Sequence, residues 1–163
     1  MALDVDLDTL FRTHGPLVYR RALQLLGRHD LAEEAVQEVF IRAMRAGDRF
    51  DPRARPSTWL YSITTNYCLN QLRDAARRRE LLDARGEEVT PASVARDPRK
   101  MAALRALLAD ADPQQAEAAV AVFVEGMAHA EAAEVLGVSR RTVGNLCDRF
   151  LSWARARLGE GGA

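Results

Sequence analysis

Apolar residues recur at the helical period through almost the whole chain, and no long stretch alternates apolar with polar as a half-buried strand would. Leu7, Leu10, Phe11, Leu17, Val18, Ala22, Leu25 and Leu26 mark a first helical segment over residues 5–26. His14-Gly15-Pro16 predicts a break or kink within it, because proline lacks the N–H that the helix ladder needs. Gly27-Arg28-His29 leads to Asp30, with Glu33 three residues on. That pair predicts an N-cap opening a second helix through Ala46. Within it Val36, Val39, Phe40 and Ala43 share the core side, while Ile41 points roughly opposite, among Glu34, Gln37, Glu38 and Arg45. Gly47 to Pro56 is rich in turn formers and reads as a loop. Ser57 is the expected N-cap of a third helix ending near Arg79. Leu60, Thr64, Tyr67, Cys68 and Leu72 lie on one side of it, and Ser62, Asn66, Asn70, Arg73 and Arg77 form a polar stripe on the other.

Between Asp83 and Pro98 the periodicity lapses into Gly86-Glu-Glu-Val-Thr-Pro91 and Asp97-Pro98, the chemistry of turns and linkers. The chain therefore reads as all-α, with two small helical domains joined by a flexible linker: residues 1–80, a linker over 81–98, and residues 99–160. The second half opens with a helix from about Arg99 to Leu108. Another starts at Asp112-Pro113, since proline favours the first helical position, and runs to Glu125 before Gly126. The segment EGMAHAEAAEVLGVSRRTVGNLCDRF then reads as two helices joined at Leu136-Gly-Val-Ser139. Gly137 suits a left-handed C-cap, Val138 is expected to plug the core, and Ser139 can cap the second helix. Val143, Leu146, Cys147, Phe150 and Ala154 fall on one side of that helix, leaving Arg140, Arg141, Asn145, Asp148 and Ser152 outward. This is the layout of a helix-turn-helix whose recognition helix enters the major groove. Gly144 weakens that helix by about 1 kcal/mol relative to alanine, which fits close backbone approach to DNA or no role at all. Asp148 would repel phosphate, although a carboxylate can accept from cytosine N4; one turn too deep to touch DNA is the simpler placement.

Composition sharpens the partner question. The formal net charge is +0, with 23 basic and 23 acidic residues, so a protein that merely coats nucleic acid is disfavoured. The charge is unevenly distributed, however. Arg73, Arg77, Arg78 and Arg79 stand against Asp74; Arg140, Arg141, Arg149, Arg155 and Arg157 stand against Asp148; residues 110–134 carry only acidic charges. Cys68 and Cys147 form no CxxC pair and read as small core residues, and His14, His29 and His129 lack ligand spacing, so neither metal nor cofactor is expected. No nucleophile constellation or phosphate-binding glycine loop points to an enzyme. With no signal-like start and no membrane-length apolar run, a cytoplasmic location is expected.

Three segments in order, DLAEEAVQEVFIRAMRAGDRF, PSTWLYSITTNYCLNQLRDAARRR and EGMAHAEAAEVLGVSRRTV, resemble bacterial sigma factors of the sigma-70 type, in the small extracytoplasmic-function group. The resemblance spans nearly the whole chain. It implies that residues to about Arg79 form region 2 and those from about Arg99 form region 4. Glu34, Gln37, Glu38, Ile41 and Arg45 would then dock on the clamp helices of the RNA polymerase beta-prime subunit. The loop Asp48 to Pro56, with Ser62, Asn66 and Asn70, would capture an unstacked non-template base of the minus-ten element, and Arg73, Arg77 and Arg78 would line the strand path. Ser139, Arg140, Arg141, Thr142 and Asn145 would read the minus-thirty-five element. The implied partners are core RNA polymerase, through the clamp helices and the beta flap, promoter DNA, and an anti-sigma factor covering the polymerase-binding faces. The chain departs from the family at Thr142-Val-Gly-Asn-Leu146, where a run of the kind T-V-K-S-R is usual; the missing charges fall at Gly144 and Leu146. Two other readings stand beside this one: a dimeric stand-alone helix-turn-helix regulator, and a sigma-like protein that sequesters polymerase or a regulator without reading promoters.

Overall fold

The computed structural model describes residues 6–51, 53–83 and 97–160. Among them are seven α-helices and no strand, divided by contact into two compact units, Met1–Ala109 and Asp110–Ala163.

The first unit is built on α1 (Leu7–Leu26), α2 (His29–Arg45) and α3 (Pro56–Asp83), each packed against the other two. Asp6 caps α1, accepting from the Asp8 N–H at 3.2 Å and the Thr9 hydroxyl at 2.9 Å. The helix ends at Gly27, whose φ of 72° is left-handed and whose N–H returns to the Leu23 carbonyl. The break expected at Pro16 does not occur: α1 runs through it. Pro16 is exposed, as is Arg12 one turn back, so the carbonyl left without a helical partner lies on the solvent side. Buried Leu10, Val18, Ala22, Leu25 and Leu26 hold the opposite side straight against the core.

Asp30 is not the cap of α2. The helix starts one residue earlier, Arg28 is extended without a side-chain cap, and Asp30 sits in the first turn beneath the Arg28 guanidinium at 2.6 and 3.1 Å. Those bonds hold the Asp30 carboxyl below its usual range. Ser57 is likewise inside α3: Pro56 takes the first helical position, and the Arg55 carbonyl accepts from Thr58 and Trp59. The helix also continues to Asp83, beyond the expected Arg79. Its buried face is wider than the apolar stripe predicts, taking in Tyr61, Thr65 and Leu69 as well as Leu60, Thr64, Tyr67, Cys68 and Leu72. Both other helices press on it, so burial covers more than half its circumference. Thr64 tolerates this by donating its hydroxyl to the Leu60 carbonyl at 2.7 Å.

Helix α4 (Pro98–Asp110) divides almost entirely with the first unit, although the sequence reading begins the second domain at residue 99. Arg105 reaches the C-terminus of α1, donating from Nε to the Leu25 carbonyl at 2.8 Å. A side chain at Gly27 would collide with that guanidinium.

In the second unit, Asp112 caps α5 (Pro113–Ala119) by accepting from the Gln114 and Gln115 N–H groups, both at 3.1 Å, with Pro113 at the first position as expected. The helix loosens into a π-turn over Val120–Val124 and stops at Gly126, φ 71°. In α6 (His129–Leu136), Glu131 reaches back to the Ala128 N–H at 3.0 Å, and Gly137 adopts the expected left-handed conformation at φ 67°. Val138, expected in the core, is 37% exposed; its N–H closes the turn on the Ala133 carbonyl while its side chain faces out. The long α7 (Arg140–Glu160) packs on α5 and α6 through Val143, Leu146, Cys147, Phe150 and Ala154, all buried. Opposite them lie Ala116, Ala118, Ala119, Ala121, Ala132 and Ala133. Small residues let these helices approach closely, which suits a unit of few residues.

Candidate functional site

The outer face of α2 presents Ile41, 38% exposed, with Glu34, Gln37 and Arg45 also exposed and Glu38 half-buried. Glu38 is held by Arg42 one turn on, Nε to Oε1 at 3.0 Å, and the Arg42 guanidinium lies 5.0 Å from the centre of the Tyr67 ring. Burial, reinforced by Glu34 and Glu38, raises the pKa of the Tyr67 phenol. Other large apolar side chains of this unit are exposed as well. Met44, one turn beyond Ile41, is 53% exposed. Phe11 of α1 is also exposed and meets Phe40 of α2 edge-on at 5.0 Å. The packing of α1 on α2 brings Phe11 against Phe40.

The chain between α2 and α3 is shaped by a short 3-10 turn, Gly47–Arg49, followed by Phe50 in extended conformation. Asp51 organises the turn beyond it: the Asp51 carboxylate accepts the Arg53 N–H at 2.9 Å and pairs with the Arg53 guanidinium, and the Asp51 carbonyl accepts from Ala54. The Arg53 backbone bond is the main reason the Asp51 carboxyl is held below its usual range. Arg49, Arg53 and Arg55 are all exposed here, a basic loop that a reading in terms of turn formers overlooked. On α3, Asn66, Asn70 and Arg77 are exposed along one stripe with Arg78 exposed to one side of it, and Ser62 is half-buried with its hydroxyl near the Thr58 carbonyl at 3.4 Å. Arg73 is placed differently from a free cation. It is half-buried, its Nη1 donates to Asn70 Oδ1 at 3.1 Å, and its Nη2 is buried without a hydrogen-bond partner among the described residues.

At the start of α7, Ser139 accepts the Thr142 N–H at 3.1 Å, and the two hydroxyls lie 2.9 Å apart. Ser139 and Thr142 thus close the helix end, and Thr142 is half-buried. Arg140, Arg141 and Asn145 project outward with no hydrogen bond or ion pair among the described residues. Gly144 answers to no packing demand: a Cβ there would meet only the His129 ring, at 3.8–4.0 Å. Leu146 is buried, so its departure from the family pattern places an apolar residue in the core instead of removing an outward charge. Asp148 and Arg149 are exposed, whereas Arg157 is paired with Asp110 and stacked over Trp153.

Among the described residues no group of His, Cys, Asp and Glu is placed to hold a metal ion, and no helix is long and apolar enough to cross a membrane. Cys68 and Cys147 are both buried free thiols. Burial pushes the Cys68 thiol up to about 12 and raises Cys147 as well, which suppresses the reactive thiolate.

Residues 10–78 match the family Sigma-70 region 2. The chain is 35% identical over 153 residues to the ECF RNA polymerase sigma factor SigM of Mycobacterium tuberculosis, covering 93% of this chain and 74% of that one. It is also 35% identical over 142 residues to the ECF RNA polymerase sigma factor SigE of Mycolicibacterium smegmatis, where 83% of this chain spans 55% of the relative's length. In fold it resembles the sigma factor RpoE of Bartonella quintana, solved with the anti-sigma factor NepR: TM-score 0.56 at 22% identity, over 93% of this chain and 96% of that one. With α2 and most of α1 and α3 falling inside the region 2 match and the likeness to SigM extending over 93% of the chain, the chain belongs to the ECF RNA polymerase sigma factors.

Proposed function

We propose that the protein acts in the cytoplasm, without enzymatic activity of its own, as an alternative sigma factor that binds core RNA polymerase and directs it to a restricted set of promoters. In this reading residues 1–80 serve as region 2 and residues 99–160 as region 4. The α2 face around Ile41, Glu34, Gln37, Glu38 and Arg45 docks on the polymerase clamp, with Met44 and Phe11 enlarging its apolar part. The Asp48 to Pro56 loop and the stripe of Asn66, Asn70 and Arg77, with Arg78 beside it, take the melted minus-ten strand, and Arg73 steadies Asn70. The turn carrying Arg140, Arg141 and Asn145 reads the minus-thirty-five element, and Ser139 and Thr142 cap the helix that presents them.

The observation that carries this reading is the exposed isoleucine and methionine on α2, set beside an arginine-bearing loop in the same unit. A stand-alone helix-turn-helix regulator has no use for either. Two modest DNA contacts carried on one polymerase act at high effective concentration, so a chain with formal net charge +0 can be specific while binding free duplex poorly. The relative RpoE is held by an anti-sigma factor, and the exposed α2 face is the surface on which we place a comparable partner here.

Run-off transcription with purified core polymerase on a promoter library tests the proposal. Initiation at a defined promoter set, lost with Ile41→Asp and weakened with Arg141→Ala, is the expected result. Core binding without initiation anywhere would establish a sequestering protein instead, and tight salt-sensitive DNA binding in the absence of polymerase would establish the stand-alone regulator.

A further inference from the structure

We propose that Phe50 and Trp59 form an aromatic staple that positions Asp51, Arg53, Ala54 and Arg55, so that the strand-capturing surface is built before DNA arrives. The inference rests on the region 2 reading above and assigns a positioning role to Phe50, within the loop, and to Trp59, outside it. Phe50 belongs to no helix. It follows the Gly47–Arg49 turn in extended conformation, φ −67° and ψ 123°, with its N–H returned to the Gly47 carbonyl at 3.2 Å. Trp59 stands in the first turn of α3, its N–H on the Arg55 carbonyl. Their ring centroids are 4.9 Å apart at 51°, within the range in which aromatic pairs attract.

This contact closes the loop at its base. Above it, the Asp51 carboxylate holds the Arg53 N–H, the Asp51 carbonyl holds the Ala54 N–H, and the Arg55 carbonyl holds the start of α3. Arg49, Arg53 and Arg55, all exposed, are thereby presented from a fixed base. Capturing a base that has been pulled from the stack must offset the unstacking, so a loop that also had to be ordered at that moment would bind less strongly. Both rings are half-buried, unlike Leu60 and Tyr61, which follow Trp59 and lie in the core. Removing the Phe50 ring therefore frees the loop while leaving the packing of α1, α2 and α3 in place.

Holoenzyme assembled on a cognate promoter tests this, with opening followed by permanganate reactivity of minus-ten thymines and core affinity measured in parallel. Phe50→Ala is expected to slow opening at least tenfold while core affinity stays within twofold and the free protein's unfolding midpoint hardly moves. Phe50→Tyr and Trp59→Phe, which keep an aromatic pair, should restore opening to near the wild-type rate. An unchanged rate in Phe50→Ala overturns the proposal, as does a fall in core affinity as large as the fall in opening, which would make the pair a structural contact only. The double variant Arg53→Ala, Arg55→Ala separates the two levels. If it impairs opening and Phe50→Ala does not, the loop reading stands without the staple; if neither impairs opening, the loop reading fails too.

Discussion

The two units handle their arginines differently. In the first, Arg12, Arg28, Arg42 and Arg53 are each paired with a carboxylate two or four residues away, and Arg73 is bonded to Asn70. In the second, pairing in α7 falls on Arg157 near its far end, whereas Arg140 and Arg141 on the first turn are open. Exposed pairs of this kind contribute only about 0–1 kcal/mol each, so the contrast bears on orientation more than on stability. The first unit thus combines arginines aimed by local partners with exposed Arg49, Arg55, Arg77 and Arg78, whose guanidinium groups make no ion pair among the described residues. The first turn of α7 has only such unpaired donors, Arg140 and Arg141, as the proposed contact with a phosphate backbone or a base edge would use. Core construction differs in the same sense: tyrosines, leucines and a phenylalanine in the first unit, and mostly alanine around Val143 and Phe150 in the second.

The contrast can be broken at the second core first. Phe150 is 4% exposed among small residues that cannot close the gap, so Phe150→Ala should cost about 3–5 kcal/mol, read as loss of amide-exchange protection in α5 to α7. Next in size, Ile41→Asp should weaken core polymerase binding by about 2 kcal/mol, roughly thirtyfold in Kd, without lowering the melting temperature, because the side chain is surface-exposed in the free protein. Titration against labelled core checks this; an unchanged Kd would place the docking face elsewhere. Arg141→Ala should cost about 1–2 kcal/mol in holoenzyme binding to the minus-thirty-five element and flatten the salt dependence by about one unit of slope if the guanidinium meets phosphate. Gly144→Ala should stabilise the second unit by about 0.5–1 kcal/mol in urea unfolding, since its φ is not left-handed and the added methyl makes an ordinary contact with His129. Should promoter binding fall at the same time, the glycine serves close approach to DNA.

The smallest effect at neutral pH is the thiol contribution. Burial raises the Cys68 pKa from an ordinary 9.0 to about 12, so the folded state favours the protonated thiol more than the unfolded state does. That contribution is fully present below pH 9 and is lost as pH climbs from 9 toward 12. A Cys68→Ala variant should accordingly show a flatter fall of first-unit stability over that alkaline window. An identical slope in both proteins would show that other groups dominate it.

Much of the candidate site was legible because helical period sorts residues by face. Ile41 outward on α2, the asparagine stripe on α3, the left-handed Gly137 and the Ser139 cap all follow from spacing and local chemistry, and each is found where that chemistry puts it. Phe11 and Trp59 were not legible in this way. A ring on an apolar stripe looks the same in sequence whether a neighbouring helix covers it or leaves its edge at the rim.

Spacing and residue order were therefore enough for the all-α class, the faces of the helices, the turns at Gly27, Gly126 and Gly137, and the family, since these depend on residues within a few positions of one another or on the succession of motifs. Packing settled the rest: that α1 continues through Pro16, that α3 is buried over more than half its girth, that α4 is tied by Arg105 to α1, and that Phe50 meets Trp59. Each of these turns on which surface another element covers, and that is set by the simultaneous packing of segments apart in the chain, where the free energy of burial outweighs the local preference of any one residue.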